Sequence, residues 1–190
     1  MNIDFNGIVN THKNIKSEVK WTETCFSQQL SEETGCNIFI KYENRQHTGS
    51  FKVRGSYAKL LSLSEEERKI GVIAMSAGNH AQGLAYSAKK MNIISNIVMP
   101  TGTPFTKIRR TSNFGGNVIL RGDTLRESYL HVKEMIKEKN YTEIHPYDDW
   151  KVIMGQGTLC YEMLSDLNDL DVLLIPVGGG GLIAGCSVVS

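Results

Sequence analysis

The sequence lacks a long apolar run, and it has no excess of charge of either sign. Its longest apolar run, 172–177, is far shorter than the roughly 20 residues that a transmembrane helix needs. Its 21 Lys and Arg residues nearly balance its 20 Asp and Glu residues, without a basic stripe or an acidic tail. The polar N-terminus contains no signal-peptide core. We therefore expect a soluble protein that uses neither a membrane nor a nucleic acid as its partner.

Cysteine is also scarce, and its spacing is uninformative. The four cysteines are Cys25, Cys36, Cys160 and Cys186. These spacings fit neither a zinc site nor a short disulfide framework. We therefore expect reduced thiols, in the core or at the surface, in a cytoplasmic protein.

From residue 70 onward the sequence alternates between strand-like and helix-like segments. The strands are predicted over 72–75, 96–99 and 117–120. The helices are predicted over 80–90, 105–113 and 124–139, the last with Leu125, Tyr129, Val132 and Ile136 as its inner face. Repeated strand–helix units predict an α/β fold with a parallel sheet and right-handed crossovers.

The flanking segments predict a second lobe. Helices are expected to end before Gly35 and to cover 51–63 and 158–167, and strands are expected over 38–41 and 171–177. We therefore predict a large lobe formed by 1–66 and 149–190 and a small inserted lobe formed by 70–146. A cleft between two lobes is a common place for a ligand.

Lys52 is the first candidate for chemistry. It follows a bulky aromatic residue, Phe51, at the predicted start of a helix. Partial desolvation by Phe51 would lower the pKa of the lysine amine. Such an amine can form a Schiff base with an aldehyde, although most lysines are solvated surface charges.

The second candidate is the glycine loop, Gly178, Gly179, Gly180 and Gly181 followed by Leu182, which comes after an apolar segment and opens a helix. Glycine lets backbone N–H groups converge, and a helix start favours an anion such as phosphate. The loop matches neither the dinucleotide fingerprint nor the P-loop of nucleotide triphosphatases, so a nucleotide-binding domain has little support. A glycine-rich turn without a ligand is the alternative.

The third candidate is the asparagine loop, defined as residues 76–80 (Ser76, Ala77, Gly78, Asn79 and His80). Its small residues would expose backbone N–H groups to an anion such as a carboxylate. Asn79 could bind a ligand through its amide, or it could only cap the helix. His80 is better suited to a structural role or to donating a backbone hydrogen bond than to acting as a general base.

A lysine for an aldehyde, a phosphate loop and a carboxylate loop together suit pyridoxal 5′-phosphate. The chain resembles the fold type II (β-family) pyridoxal-phosphate enzymes, within the threonine dehydratase and serine racemase group. The resemblance covers nearly the whole chain. It rests on segments in the family's order: 41–44, 48–55, 76–83, 98–100, 145–146, 155–158 and 176–185. It implies the two-lobed architecture of that family, with parallel sheets flanked by helices.

The resemblance also implies roles for the candidate residues. Lys52 would hold the cofactor covalently and later move the α-proton of the substrate. Phe51 would pack beside the cofactor, and Asn79 would hydrogen-bond its 3′-oxygen. The backbone of the glycine loop, Gly178 to Leu182, would hold the phosphate. Ser76 and the backbone N–H groups of Ala77, Asn79 and His80 would receive the carboxylate of the substrate. The resemblance implies no metal ligand.

By the same resemblance, the expected reaction is the loss of ammonia from threonine or serine, and a homo-oligomer is compatible with it. A racemase of this group would have a second serine at Ala77, so racemisation is the less favoured alternative. Relatives continue beyond the position of Ser190 and carry the partner of the pyridine nitrogen there. A truncated, non-catalytic protein that still binds the cofactor is therefore a further alternative.

Overall fold

The computed structural model describes residues 3–190 and consists of helices around one parallel sheet and one small antiparallel sheet. The strands are β1 (Thr24–Phe26), β2 (Phe39–Lys41), β3 (Val72–Met75), β4 (Ser95–Met99), β5 (Asn117–Leu120) and β6 (Thr142–Glu143). The helices are α1 (Phe5–Ile15), α2 (Gln28–Thr34), α3 (Lys52–Leu61), α4 (Glu65–Ile70), α5 (Asn79–Lys90), α6 (Phe105–Asn113), α7 (Leu125–Lys139), α8 (Trp150–Asp166) and α9 (Gly181–Cys186). A short 3-10 helix covers Glu43–Arg45.

The parallel sheet has the strand order β5-β4-β3-β6. Alternate residues of its central strands enter two different cores, because successive side chains of a strand point to opposite faces. Val72 and Ile97 pack with Leu84 of α5 on one face. Ile73 and Val98 pack with Val132 of α7 on the other. The predicted α/β class, with a parallel sheet flanked by helices, is confirmed.

Helix α8 begins at Trp150, earlier than the sequence predicted. Its N-cap is Asp149, whose Oδ1 accepts hydrogen bonds from the backbone N–H groups of Lys151 (2.8 Å) and Val152 (3.2 Å). The prediction placed the start at Thr158, and the two glycines before that position, Gly155 and Gly157, weaken helix propensity. Packing outweighs that cost, since both glycines lie against neighbouring helices.

The predicted strand over 171–177 is not formed. The exposed fractions of Val172, Leu174 and Val177 are 71%, 87% and 63%. A strand needs a neighbour to accept and donate its backbone hydrogen bonds, and no strand among residues 3–190 pairs with this segment. The apolar run alone was therefore insufficient to predict a strand.

The prediction that Leu125 belongs to the inner face of α7 is also wrong. Leu125 is 57% exposed and lies at the first position of the helix. Val132 is buried, and Tyr129 and Ile136 pack against the same core.

Two close contacts between glycines set the packing of α3, α8 and α9. A Cβ atom on Gly155 of α8 would lie 2.6 Å from the Cα atom of Gly55 in α3. A Cβ atom on Gly185 of α9 would lie 2.7 Å from the backbone nitrogen of Gly157 in α8. Backbone atoms cannot move aside as flexible side chains can, so larger residues would force these helices apart.

We expect Gly155→Ala to lower the free energy of unfolding by about 1–3 kcal/mol, because the added methyl group overpacks the contact between α3 and α8. Gly102→Ala is the matched control, since nothing lies within 4 Å of its added Cβ atom. Urea denaturation followed by circular dichroism measures both. Equal stability of the two variants would contradict the packing argument.

Candidate active site

Lys52 is the first residue of α3, and its amine is held in place from across the molecule. Its Nζ donates a hydrogen bond to the backbone carbonyl of Pro146 at 2.6 Å. The same nitrogen lies 5.4 Å from the centre of the Phe51 ring. Burial lowers the pKa of Lys52 below its ordinary value, because the charged form is desolvated. The amine is therefore more often unprotonated, and hence nucleophilic, than that of a free lysine.

The segment 146–147 links this lysine to the glycine loop. Pro146 accepts the hydrogen bond from Lys52, and the ring of the next residue, Tyr147, lies against the loop. A Cβ atom on Gly179 would overlap that ring, and one on Gly181 would lie 2.8 Å from the Tyr147 carbonyl oxygen. The lysine and the loop are therefore brought together by two consecutive residues.

The glycine loop opens α9 without a side-chain cap. Gly180 is the N-cap residue and has a φ of 88°, in the left-handed region that favours glycine. Within residues 3–190, and leaving aside the chain neighbours of each glycine, no atom lies within 4 Å of a Cβ atom built on Gly178 or Gly180. Leu182 is buried and anchors the start of α9 against Leu159. The loop thus presents open backbone at Gly178 and Gly180, while Tyr147 covers the other two glycines.

The asparagine loop follows the carboxyl end of β3, and its serine takes the role of the cap. Ser76 Oγ accepts hydrogen bonds from the backbone N–H groups of Gly78 (3.3 Å) and Ala81 (3.2 Å). Asn79 is the first residue of α5 and is exposed, and the N-cap residue is Gly78, without a side-chain bond. The interpretation of Asn79 as a mere helix cap is therefore wrong. Ala77 packs against the core beside α5.

His80 is buried and fixed by one hydrogen bond. Its Nε2 donates to the carbonyl of Ile144 at 2.9 Å, and its exposed fraction is 3%. Burial lowers its pKa to about 4, and the charges of Lys52 and His145 act in the same direction. His80 is therefore neutral near pH 7. This agrees with the structural role favoured by the sequence.

Helix α5 crosses α3 at the lysine itself. A Cβ atom on Gly83 of α5 would lie 3.0 Å from the backbone carbonyl carbon of Lys52 and 3.0 Å from the nitrogen of Val53. This contact sets the asparagine loop, one turn before Gly83, beside α3. Two of the predicted segments thus converge on Lys52: the asparagine loop through Gly83, and the glycine loop through Pro146 and Tyr147.

Sequence reasoning missed a buried cluster of charges directly behind the lysine. Arg54, two residues after Lys52, is fully buried. It donates hydrogen bonds to both carboxylate oxygens of Glu162 at 2.7 Å, and to both of Glu43 at 2.8 and 2.9 Å. Lys41 Nζ lies 2.8 Å from Glu162 Oε2. The available signal was that Arg54, Glu43 and Lys41 all lie in the segments on which the resemblance rests.

The cluster is balanced in charge, and its members shift one another's pKa values. Burial would lower the pKa of Arg54, but its hydrogen bonds to Glu43 and Glu162 outweigh burial and raise it. Burial would raise the pKa of Glu162, but hydrogen bonds from His12 and Arg54 lower it to about 2. Arg54 and Glu162 therefore both remain charged through the physiological pH range.

Comparison with known proteins identifies the family. The sequence profile described as "Pyridoxal-phosphate dependent enzyme" matches residues 15–189. The chain belongs to this family. It is 47% identical to the L-threonine ammonia-lyase of Thermotoga maritima over 186 aligned residues. The alignment covers 98% of this chain and 46% of that protein. It is 46% identical to the catabolic L-threonine dehydratase TdcB of Escherichia coli K12 over 162 aligned residues. This alignment covers 85% of this chain and 49% of that protein.

Solved structures of the same group have the same fold. Serine racemase from Dictyostelium discoideum matches with a TM-score of 0.93 and 34% identity, over 98% of this chain and 61% of that one. Threonine deaminase isoform 2 from Solanum lycopersicum matches with a TM-score of 0.90 and 39% identity, over 100% of this chain and 53% of that one. The chain spans about half the length of the curated relatives that it matches.

The described residues fit the cofactor of the family. Lys52 supplies a half-buried amine whose pKa is lowered, beside an aromatic ring. The glycine loop has room for a phosphate on its open faces at Gly178 and Gly180. Within residues 3–190, no three His, Cys, Asp or Glu side chains are grouped as a metal site, and no helix has both the length and the apolar character to cross a membrane.

We expect the free energy of unfolding to decrease as the pH falls from 4.5 towards 2. The pKa of Glu162 is lowered in the folded chain, so its stabilising effect is complete above the unfolded pKa and is lost as the pH falls through the folded one. A folded pKa that lies one pH unit below the unfolded pKa stabilises the fold by about 1.4 kcal/mol. Urea denaturation at a series of pH values measures this loss.

Glu162→Gln should be less stable near pH 7, because it leaves Arg54 and Lys41 with one carboxylate fewer, and its stability should depend less on pH. Glu138→Gln, on the exposed face of α7, is the control and should follow the unmodified chain. The same steep dependence on pH in Glu162→Gln would show that another group is responsible.

Proposed function

We propose that the chain binds pyridoxal 5′-phosphate through Lys52 and is part of an ammonia-lyase. This enzyme would convert L-threonine to 2-oxobutanoate and L-serine to pyruvate, and would release ammonia from both. One observation carries the proposal: the lysine amine, of lowered pKa, lies between the asparagine loop and the glycine loop. The 47% identity to the T. maritima L-threonine ammonia-lyase supports the choice of reaction.

Residues of both lobes would hold the cofactor. Lys52 would bind it through the amine, with Phe51 packed beside it. The backbone N–H groups from Gly178 to Leu182 would hold the phosphate, and Asn79 would donate a hydrogen bond to the 3′-oxygen. The exposed, uncapped position of Asn79 supports this role, because its amide has no hydrogen bond to the described residues. When bound, the cofactor withdraws electrons from the α-carbon of the substrate.

The asparagine loop would receive the carboxylate of the substrate, through Ser76 and the backbone N–H groups of Ala77, Asn79 and His80. Ser76 Oγ already accepts two N–H groups, so its own proton is available for donation to the carboxylate. Neutral His80 adds no charge, and its ring keeps the start of α5 bound to Ile144.

Lys52 would act a second time as the base that takes the α-proton from the substrate. Its lowered pKa suits this step, because a base works best when its pKa lies near the working pH. The carbonyl of Pro146 gives the released amine a fixed acceptor for its N–H bond. Racemisation needs a second acid or base on the opposite face. Ala77 has no proton to transfer, which favours elimination over racemisation.

We also propose the two-lobe division, with residues 1–66 and 149–190 in the large lobe and 70–146 in the small lobe; Met1 and Asn2 lie outside the described residues. The parallel sheet, built entirely from strands between Val72 and Glu143, supports this division. A cytoplasmic location is proposed because all four cysteines are free. A homo-oligomer is proposed from the exposed apolar segment 171–177.

We expect pyridoxal phosphate to give the purified chain a visible absorption band, and borohydride reduction to fix the cofactor on Lys52. Mass spectrometry of the digested protein locates the label. Lys52→Ala should lose both the band and the label, whereas Lys107→Ala, on exposed α6, should keep both. Labelling of another lysine in the unmodified chain would refute the assignment. A labelled chain that releases neither 2-oxobutanoate nor pyruvate would be a cofactor-binding protein without turnover.

Labelling of Lys52 should also respond to pH in a characteristic way. Because the pKa of its amine is lowered in the folded chain, the rate of labelling should reach half its maximum below the value of about 10.4 for free lysine. Brief exposure to limiting cofactor at each pH, followed by reduction and peptide analysis, measures the profile. A midpoint at or above the free value would contradict desolvation of the amine.

A further inference from the structure

Two buried cysteines face each other behind the glycine loop. Cys160 lies on α8 and Cys186 at the end of α9, and both belong to one apolar cluster with Leu159 and Leu182. Both also line the same cavity, of about 160 Å³. Neither has a place in the proposed reaction.

The packing of α8 on α9 places the two cysteines at one helix contact. A Cβ atom on Gly185 would lie 2.7 Å from the nitrogen of Gly157, so the two backbones almost touch there. Cys186 is the next residue after Gly185, and Cys160 lies about one turn after Gly157. The two side chains therefore enter the same apolar cluster and line the same cavity.

The two thiols differ in their readiness to ionise. Interaction with the Cys186 thiol lowers the pKa of Cys160 and outweighs the effect of burial. The same interaction, together with burial, raises the pKa of Cys186. Cys160 is therefore the nucleophile of the pair, and Cys186 keeps its proton.

We propose that Cys160 and Cys186 are a modification site that hydrogen peroxide converts into a reversible disulfide between α8 and α9. Two facing thiols of unequal acidity that share one cavity are the arrangement this chemistry needs. Because α9 continues directly from the glycine loop, the cross-link fixes the start of that helix against α8. The site goes beyond the proposed function and does not depend on the cofactor.

The reaction takes place in two balanced steps. The Cys160 thiolate attacks one peroxide oxygen, the O–O bond breaks, and sulfenic acid and hydroxide form. The Cys186 sulfur then attacks the Cys160 sulfur, the S–O bond breaks, and the oxygen leaves as water with the proton of Cys186. The two sulfur atoms lose two electrons in total, which reduce one peroxide to two waters. A thiol reductant reverses the change.

The cavity gives a small oxidant a route to the buried sulfurs. Its wall includes Leu174, which is among the exposed residues of the segment 171–177, and Pro176 of the same segment. A water molecule in the liquid occupies about 30 Å³, so a cavity of about 160 Å³ can contain hydrogen peroxide.

The first test is peptide mapping of the unmodified chain. The reduced protein is treated with an equimolar amount of hydrogen peroxide, its remaining thiols are blocked under denaturing conditions, and the digest is analysed by mass spectrometry. We expect a Cys160–Cys186 cross-link that disappears after reduction, with Cys25 and Cys36 still free. Four unchanged thiols, a cross-link to Cys25 or Cys36 alone, or over-oxidation of Cys160 without a cross-link would each overturn the proposal.

Variants test the order of the two steps. In Cys186→Ser the sulfenic acid on Cys160 cannot be resolved, so dimedone should label Cys160; in Cys160→Ser, dimedone should leave Cys186 unlabelled. Labelling of Cys186 instead would overturn the assigned nucleophile. The double variant Cys25→Ser with Cys36→Ser is the control. It changes only thiols outside the buried pair and should form the cross-link at the rate of the unmodified chain. Circular dichroism checks that each variant folds.

Discussion

The arrangement of this chain depends on the neutralisation of one buried guanidinium. Arg54 stands two residues after Lys52 on α3, and moving its charge out of water is tolerable only because Glu43 and Glu162 surround it. Glu43 comes from the 3-10 helix and Glu162 from α8, so the cluster joins segments that are far apart in sequence. A shift of α3 along α8 would separate these charges, which fixes the register of the helix that begins with the lysine.

Close contacts at glycines set the distances between the helices, whereas the charge pairs set the register of α3 along α8. Because Gly83 has no side chain, α5 can approach the backbone of Lys52. Gly155 allows α8 to approach Gly55 in the same way. The site is therefore assembled from helices whose backbones almost touch. The glycine loop, the asparagine loop and the Lys52 amine converge in this way, although they lie far apart in the sequence.

Local sequence patterns predicted much of the fold. The features that they missed depend on residues far away in the sequence. Helix α6 and strand β5 were predicted to the residue, since their signals lie within their own sequence. The positions of Asn79 and Gly180 at helix starts followed from small residues after apolar runs, and that of Lys52 followed from the glycine–serine turn before it. Arg54 resembles a surface charge until its carboxylate partners, 11 and 108 residues away, are known. In the same way, the segment 171–177 can form a strand only if another strand pairs with it, and its own residues do not show whether one does.

The exposed segment 171–177 has a consequence for the behaviour of the chain in concentrated solution. With a formal net charge of only +1, the molecules repel one another weakly, and colloidal stability near neutral pH is low. Two apolar side chains more than 70% exposed, Val172 and Leu174, then supply the attraction. Sulfate and phosphate strengthen that attraction, since salts excluded from protein surfaces favour burial. Storage at low ionic strength, away from the isoelectric point, keeps such a chain dispersed.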